Sequence, residues 1–233
     1  RPLLNALAFL IYIVPGGDVG VAIILLTLLV KVALFPLSQK SIESQTHMNA
    51  LTPELNKIKS SGATKEEQAR LTFDLYKKNK INPFSGCLLI LIQLPIIFAL
   101  YYVFLKGVNL DQGLLYSFFK NPPEMNMLFL GLLDISQKSL LLAILAGISQ
   151  YFQAHFMKVP QTNNTQSSKG SFQENFAKSM QIQMKYVFPF VVALISANLA
   201  GAVALYWITS NMFAIGQQIY VNKKHQGTVI AVK

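Results

Sequence analysis

The chain of 233 residues is 52% hydrophobic and only 13% charged, with a mean hydropathy of +0.41, which excludes an ordinary soluble domain and points to a multi-span membrane protein. Its net charge is +10, but the basic residues cluster between apolar runs rather than interleaving with aromatics, so DNA is not an expected partner. One cysteine, Cys87, excludes an intramolecular disulfide and a multi-thiolate metal site, and His47, His155 and His225 show no ligand spacing.

Residues 1–18 open the chain with an apolar stretch, Leu3 to Val14, too short to span, followed by the break Pro15-Gly16-Gly17-Asp18. They predict an interfacial helix on the extracytoplasmic side. That break makes a poor signal cleavage site, and a start at Arg1 suggests a trimmed chain or a mature fragment. The first span is expected over 19–38, ending near Pro36, and residues 39–82 turn polar while keeping helical periodicity. Ser60-Ser61-Gly62 breaks this segment and Thr64-Lys65-Glu66-Glu67 is a capping box, so an αα-hairpin outside the membrane is expected.

Asn82-Pro83 opens a second span, 83–105, kinked at Pro95. A third span is expected over 139–157, followed by a loop, 158–183, with the polar tract Gln161 to Ser171. Residues 184–221 are nearly all apolar, and Asn198 to Gly201 divides them into spans over 184–198 and 200–221. Ala193, Ala197 and Gly201 recur every four residues, which predicts close approach of these two helices. A basic tail, 222–233, follows.

The hairpin carries Lys40, Lys57, Lys59, Lys65, Arg70, Lys77, Lys78 and Lys80, and the loop Lys158, Lys169 and Lys178, with Lys185 just beyond. The other side has only Arg1, Lys106, Lys120 and Lys138. With five spans the N-terminus is outside and the C-terminus, with Lys223, Lys224 and Lys233, is cytoplasmic.

Lys31 is the sole charge of the first span. The apolar run before it, Val19 to Val30, covers about 18 Å, too little for a hydrocarbon core of roughly 30 Å. The span must therefore pass through Lys31, at a cost of about 2.5–3.5 kcal/mol, which marks a functional site beside the blander reading that its stem snorkels. Thr27, Lys31 and Ser38 fall on one helical face. Gln93 lies on the second span, Ser149, Gln150 and Gln153 on the third, and Trp207, Ser210, Asn211 and Gln218 on the fifth. None of the five expected spans contains an acidic residue, so the pattern predicts a wet cavity rather than a buried ion pair. Each amide taken alone is better explained by a hydrogen bond between helices, and only the joint occurrence with Lys31 favours a groove.

No G-x-x-x-x-G-K-[ST], G-x-S-x-G or H-E-x-x-H pattern occurs, so neither an enzyme nor a cofactor or metal is expected. A small transporter or channel with an anion site at Lys31 would show two related halves, and no such repeat is present.

The stretch NPFSGCLLILIQLPIIFALYYVF, Asn82 to Phe104, resembles the signature of the second conserved span of YidC-type membrane insertases, which include mitochondrial and thylakoid relatives. LLVKVALFPLSQKSIES, MNALTPELNKIK and LYWITSN (205–211) resemble that family's first span, hairpin and last span, in the same order. The resemblance implies an all-α integral membrane protein with five transmembrane helices around a hydrophilic groove, a cytoplasmic αα-hairpin and an N-terminal interfacial helix. Bacterial members carry an arginine on the first span, and Lys31 stands at the matching position, keeping the charge but not the planar guanidinium.

The expected function is insertion of small membrane proteins from the cytoplasm without nucleotide, in a bacterial cytoplasmic membrane. The substrate-groove residues would be Lys31, Thr27, Gln93, Gln150, Gln153, Trp207, Ser210 and Asn211. The partners would be nascent membrane proteins with short polar or acidic tails, membrane lipid, the ribosome through the basic tail and cytoplasmic loops, and the Sec translocon. A noncatalytic assembly scaffold is the alternative.

Overall fold

The computed structural model describes residues 2–80, 115–116, 124–157 and 182–229. The expected second span (83–105) with Gln93, and nearly all of the 158–183 loop, lie outside the described residues.

Helix α1, Pro2–Ile13, buries Leu7, Ala8 and Ile11 and packs on α2, Val19–Ala33. Between them Gly16 and Gly17 adopt positive φ, and the Asp18 side chain caps α2 by accepting from the Val21 N–H at 3.0 Å. The single helix expected over 19–38 divides at Leu34: α2 bends by 63° into α3, Phe35–Ala50. Pro36 explains the break, since it offers no N–H to the Val32 carbonyl and its ring crowds the preceding turn. Among the described residues no single helix is long and apolar enough to cross a bilayer; α2 and α3 reach the required length and composition only as a bent pair.

Beyond α3 the chain continues as α4, Thr52–Ser60, then turns at Gly62 (φ 72°) into α5, Lys65–Lys78, which packs back on α4. The Thr64 hydroxyl accepts from the Glu67 N–H at 3.3 Å, as the capping box predicts. Thr64→Ala should cost about 1 kcal/mol. It should show as faster amide exchange in the first turn of α5 alone; unchanged exchange there would mean that the cap contributes nothing.

A short hairpin, β1 (Leu128–Phe129) and β2 (Leu133–Asp134), is the one sheet among the described residues, which are otherwise mostly helical, consistent with the all-α class. Its turn places Leu130 and Gly131 at positive φ. Helix α6, Leu140–Phe156, follows a Ser139 cap. A π-helical turn, Gln183–Val187, leads into α7, Phe188–Asn198, and after a break at Leu199 comes α8, Gly201–Val229. This break falls within Asn198 to Gly201.

The small-residue repeat, however, serves a different pair. Gly147 of α6 lies against Ala193 of α7, where an added Cβ would come within 2.9 Å of the alanine methyl. Gly201 faces Leu142, also of α6. The close approach is thus between α6 and α7, and α8 runs along α6 and α2.

Segment 124–139 ties the helix starts together. Asn126 exchanges backbone hydrogen bonds with Gly17 and Val19, and Leu130 N–H donates to Asp18 Oδ2 at 2.7 Å. The carbonyls of Gln137 and Ile135 accept from the N–H groups of Gly201 and Ala202 at 2.8 and 3.0 Å. In the turn after β2, the Ser136 hydroxyl and backbone N–H donate to Asp134, holding that carboxyl below the usual range. The starts of α2 and α8 are thereby bonded to one segment, which runs directly into α6. Just inside them lies the apolar core, which includes Leu7, Ile23, Leu142, Val192, Val203 and Tyr206.

Candidate functional site

Polar burial begins where the apolar core ends. Past Trp207 the buried residues of α8, side chains described to Lys223, are Ser210, Asn211, Gln217, Gln218 and Val221, four of the five polar. On the same helix Met212, Ile219 and Tyr220 are exposed. Helix α6 repeats the pattern, with Ser149 and Gln150 buried and Leu141, Ile144, Leu145, Ile148 and Phe152 exposed. A water-soluble helix would show the reverse arrangement, so these outer faces suit lipid.

The buried polar groups share a depth. At 1.5 Å per residue Thr27 lies about 12 Å, Ser149 about 13 Å and Asn211 about 15 Å from the start of its helix. Thr27 thus lies about as far along its helix as Ser149 and Asn211 lie along theirs, and the last two are in direct contact. The Asn211 amide donates to the Ser149 hydroxyl at 2.9 Å, which in turn donates to the Ala146 carbonyl at 2.8 Å. Thr27 is buried and donates to the Ile23 carbonyl of its own helix at 2.7 Å. Ser210 and Gln150 are buried in the same region, and Gln153 lies partly buried one turn further on. Trp207 belongs to the apolar cluster immediately outward of this layer.

Lys31 is partly buried one turn beyond Thr27. Because α2 ends at Ala33, Lys31 occupies the last turn of a helix instead of the middle of a long one. The negative end of the helix dipole favours a cation there. Ser38, expected on one helical face with Thr27 and Lys31, lies past the bend in α3.

Gln217 was not among the expected residues. Its amide donates to Ser38 Oγ at 2.7 Å and to the Phe35 carbonyl at 3.3 Å, joining α8 to the α2–α3 bend. The signal was present in the sequence, since Gln217 follows Ser210 by seven residues and shares its face. Among the described residues no His, Cys, Asp and Glu cluster has metal-binding geometry.

The profile of the 60Kd inner membrane protein family matches residues 10–228. This chain belongs to that family. It is 37% identical to the membrane protein insertase YidC of Clostridium tetani, over 91% of this chain and 85% of the relative. It is 33% identical to the membrane protein insertase YidC of Fusobacterium nucleatum, over 89% and 88%. The similarity to the protein of that name from Alcanivorax borkumensis, 33% identical over 89% of this chain, occupies 31% of the longer relative. Family membership places the chain in the bacterial inner membrane.

Proposed function

We propose that this protein is a membrane protein insertase that passes short polar segments of small membrane proteins across the bilayer through a hydrophilic groove, without nucleotide. The single observation that carries the groove is the buried polar layer of Thr27, Ser149, Gln150, Ser210 and Asn211 inside an apolar exterior. Moving an unpaired polar group through hydrocarbon costs several kcal/mol. A wet groove reaching from the cytoplasm to this layer shortens the dry path, and the apolar core beneath segment 124–139 keeps the outer end closed.

In this reading five spans cross the membrane, with the N-terminus outside and the C-terminus in the cytoplasm. Lys31 attracts acidic substrate tails, and Gln93, Gln150, Gln153, Ser210 and Asn211 hydrate or contact them, with Trp207 at the inner wall. The substrate's own apolar span leaves sideways into lipid, and that partitioning drives the process. The hairpin receives substrate, the basic tail and loops touch the ribosome, and the Sec translocon is a further partner.

The experiment is reconstitution of the purified protein into nucleotide-free vesicles with a single-span substrate bearing a short acidic tail. The expected result is a protease-protected fragment that depends on the protein. A substrate that stays outside, together with faster assembly of subunits already inserted, would identify an assembly scaffold instead.

A further inference from the structure

We propose that Gln217 is a positioning residue that sets the angle at which the cytoplasmic hairpin leaves the membrane core, by clamping the α2–α3 bend to α8. The inference rests on the insertase reading only for its effect on substrate.

Leu34 and Pro36 make the bend a joint: the Val32 carbonyl has no helical donor at position 36, and Leu34 N–H is shared between the carbonyls of Val30 and Val32. Such a joint does not by itself select 63°. The start of α3 meets α8 through one cluster. The Phe35 ring lies edge-on to Phe213, centroids 6.5 Å apart, and tilted against Tyr220 at 6.2 Å. These ring contacts tolerate rotation. The pair of bonds from Gln217 to Ser38 Oγ and the Phe35 carbonyl does not, because both acceptors lie in the first turn of α3, directly after the joint, and tie that turn to α8. Gln217 is only 7% exposed, so water competes weakly for its amide.

There is room for the hinge to move. A recess of about 340 Å³ lies between Phe35, Phe213, Gly216, Gln217 and Tyr220, and a Cβ added to Gly216 would meet nothing within 4 Å. Without the amide, Phe35 has space to pivot. Removing it also leaves no orphan, since the Ser38 hydroxyl keeps its own bonds to the carbonyls of Leu34 and Phe35, each 3.1 Å. Gln217→Met, similar in length and apolar, therefore cuts the clamp while the helices stay packed.

The test places nitroxide pairs, in a Cys87→Ser background in lipid nanodiscs, at Asp74 of α5 and Phe152 of α6, with a control pair at Leu145 and Leu194. The unsubstituted protein should give one narrow Asp74–Phe152 distance. Gln217→Met and Ser38→Ala should each at least double its width, Ser38→Thr should retain it, and the control pair should stay unchanged. In reconstituted insertion, Gln217→Met should raise the half-saturating substrate concentration about threefold to tenfold, the scale of the neutral hydrogen bonding lost, at an unchanged maximal rate.

An unaltered width in Gln217→Met, equal broadening of the control pair, or an unchanged half-saturation point would each overturn the proposal. The distance measurement needs no substrate. It therefore decides the clamp even if the unsubstituted protein inserts nothing, a failure that would count against the insertase reading alone.

Discussion

Lys31→Ala should slow insertion of substrates with acidic tails by about tenfold, while Lys31→Arg should retain activity and neutral tails should change by less than about twofold. The magnitude follows from one charged contact, about 1.5–3 kcal/mol, discounted for the water that the proposed groove would hold, with about 1.4 kcal/mol per factor of ten. The guanidinium of Lys31→Arg keeps the charge at the same position and adds donors. Added salt should weaken the unsubstituted protein towards Lys31→Ala, because a charge facing the proposed groove would be screened. The assay is initial rates for paired substrates that differ only in tail charge. If Lys31→Ala inserts both at the original rates, the charge mechanism fails and only the polar layer remains to explain transfer.

Gly147→Leu should lower stability by about 2–3 kcal/mol through overpacking. Even the first added carbon would stand 2.9 Å from the Ala193 methyl and 3.2 Å from the Pro189 carbonyl, and the carbonyl belongs to the backbone of the facing helix. Neither contact can relax without separating α6 from α7. Gly147→Ala should show a smaller part of the same loss. Unfolding in mixed micelles, read as the denaturing-detergent fraction at the midpoint, measures both. An unshifted midpoint for Gly147→Leu would mean that the two helices do not meet at this glycine. By contrast Gly216→Ala, where a Cβ meets nothing, should be silent or mildly stabilising.

Features written in short-range chemistry could be read from the sequence. The Thr64 cap, the turn at Gly62, the break near Asn198 to Gly201 and the polar positions of α6 and α8 depend on neighbours within a few residues. Which helix a small-residue stripe faces does not. Ala193 and Gly201 have the spacing of a tight pair, but their partner, α6, is fixed by the whole bundle. The bend at Leu34 was half legible. Pro36 announced a helix end, but a hydrophobic run needing more length argued for carrying the span past it, and the backbone cost of proline prevailed. That outcome alters the meaning of Lys31, whose charge now sits at a helix end. Gln217 was overlooked because its neighbour Gln218 continues the Trp207–Asn211 stripe more closely. The hairpin at Leu128 to Asp134 depends on two residues at positive φ, one of them a leucine that gives no turn signal.

Segment 124–139 also dictates the order in which this protein can complete itself. Asp18 finds its partner 112 residues later, at Leu130, and the same segment caps α8 only after Gly201 has been made. At about 5–20 residues per second, the stretch from Asp18 to Gly201 takes roughly 10–40 s to synthesise. During that interval α2 is present without α8, the helix that runs along it. The surface that α2 buries against α8 must be held by lipid or by another protein until the last helix arrives. A machine for inserting others is thus, in its own synthesis, a slow client.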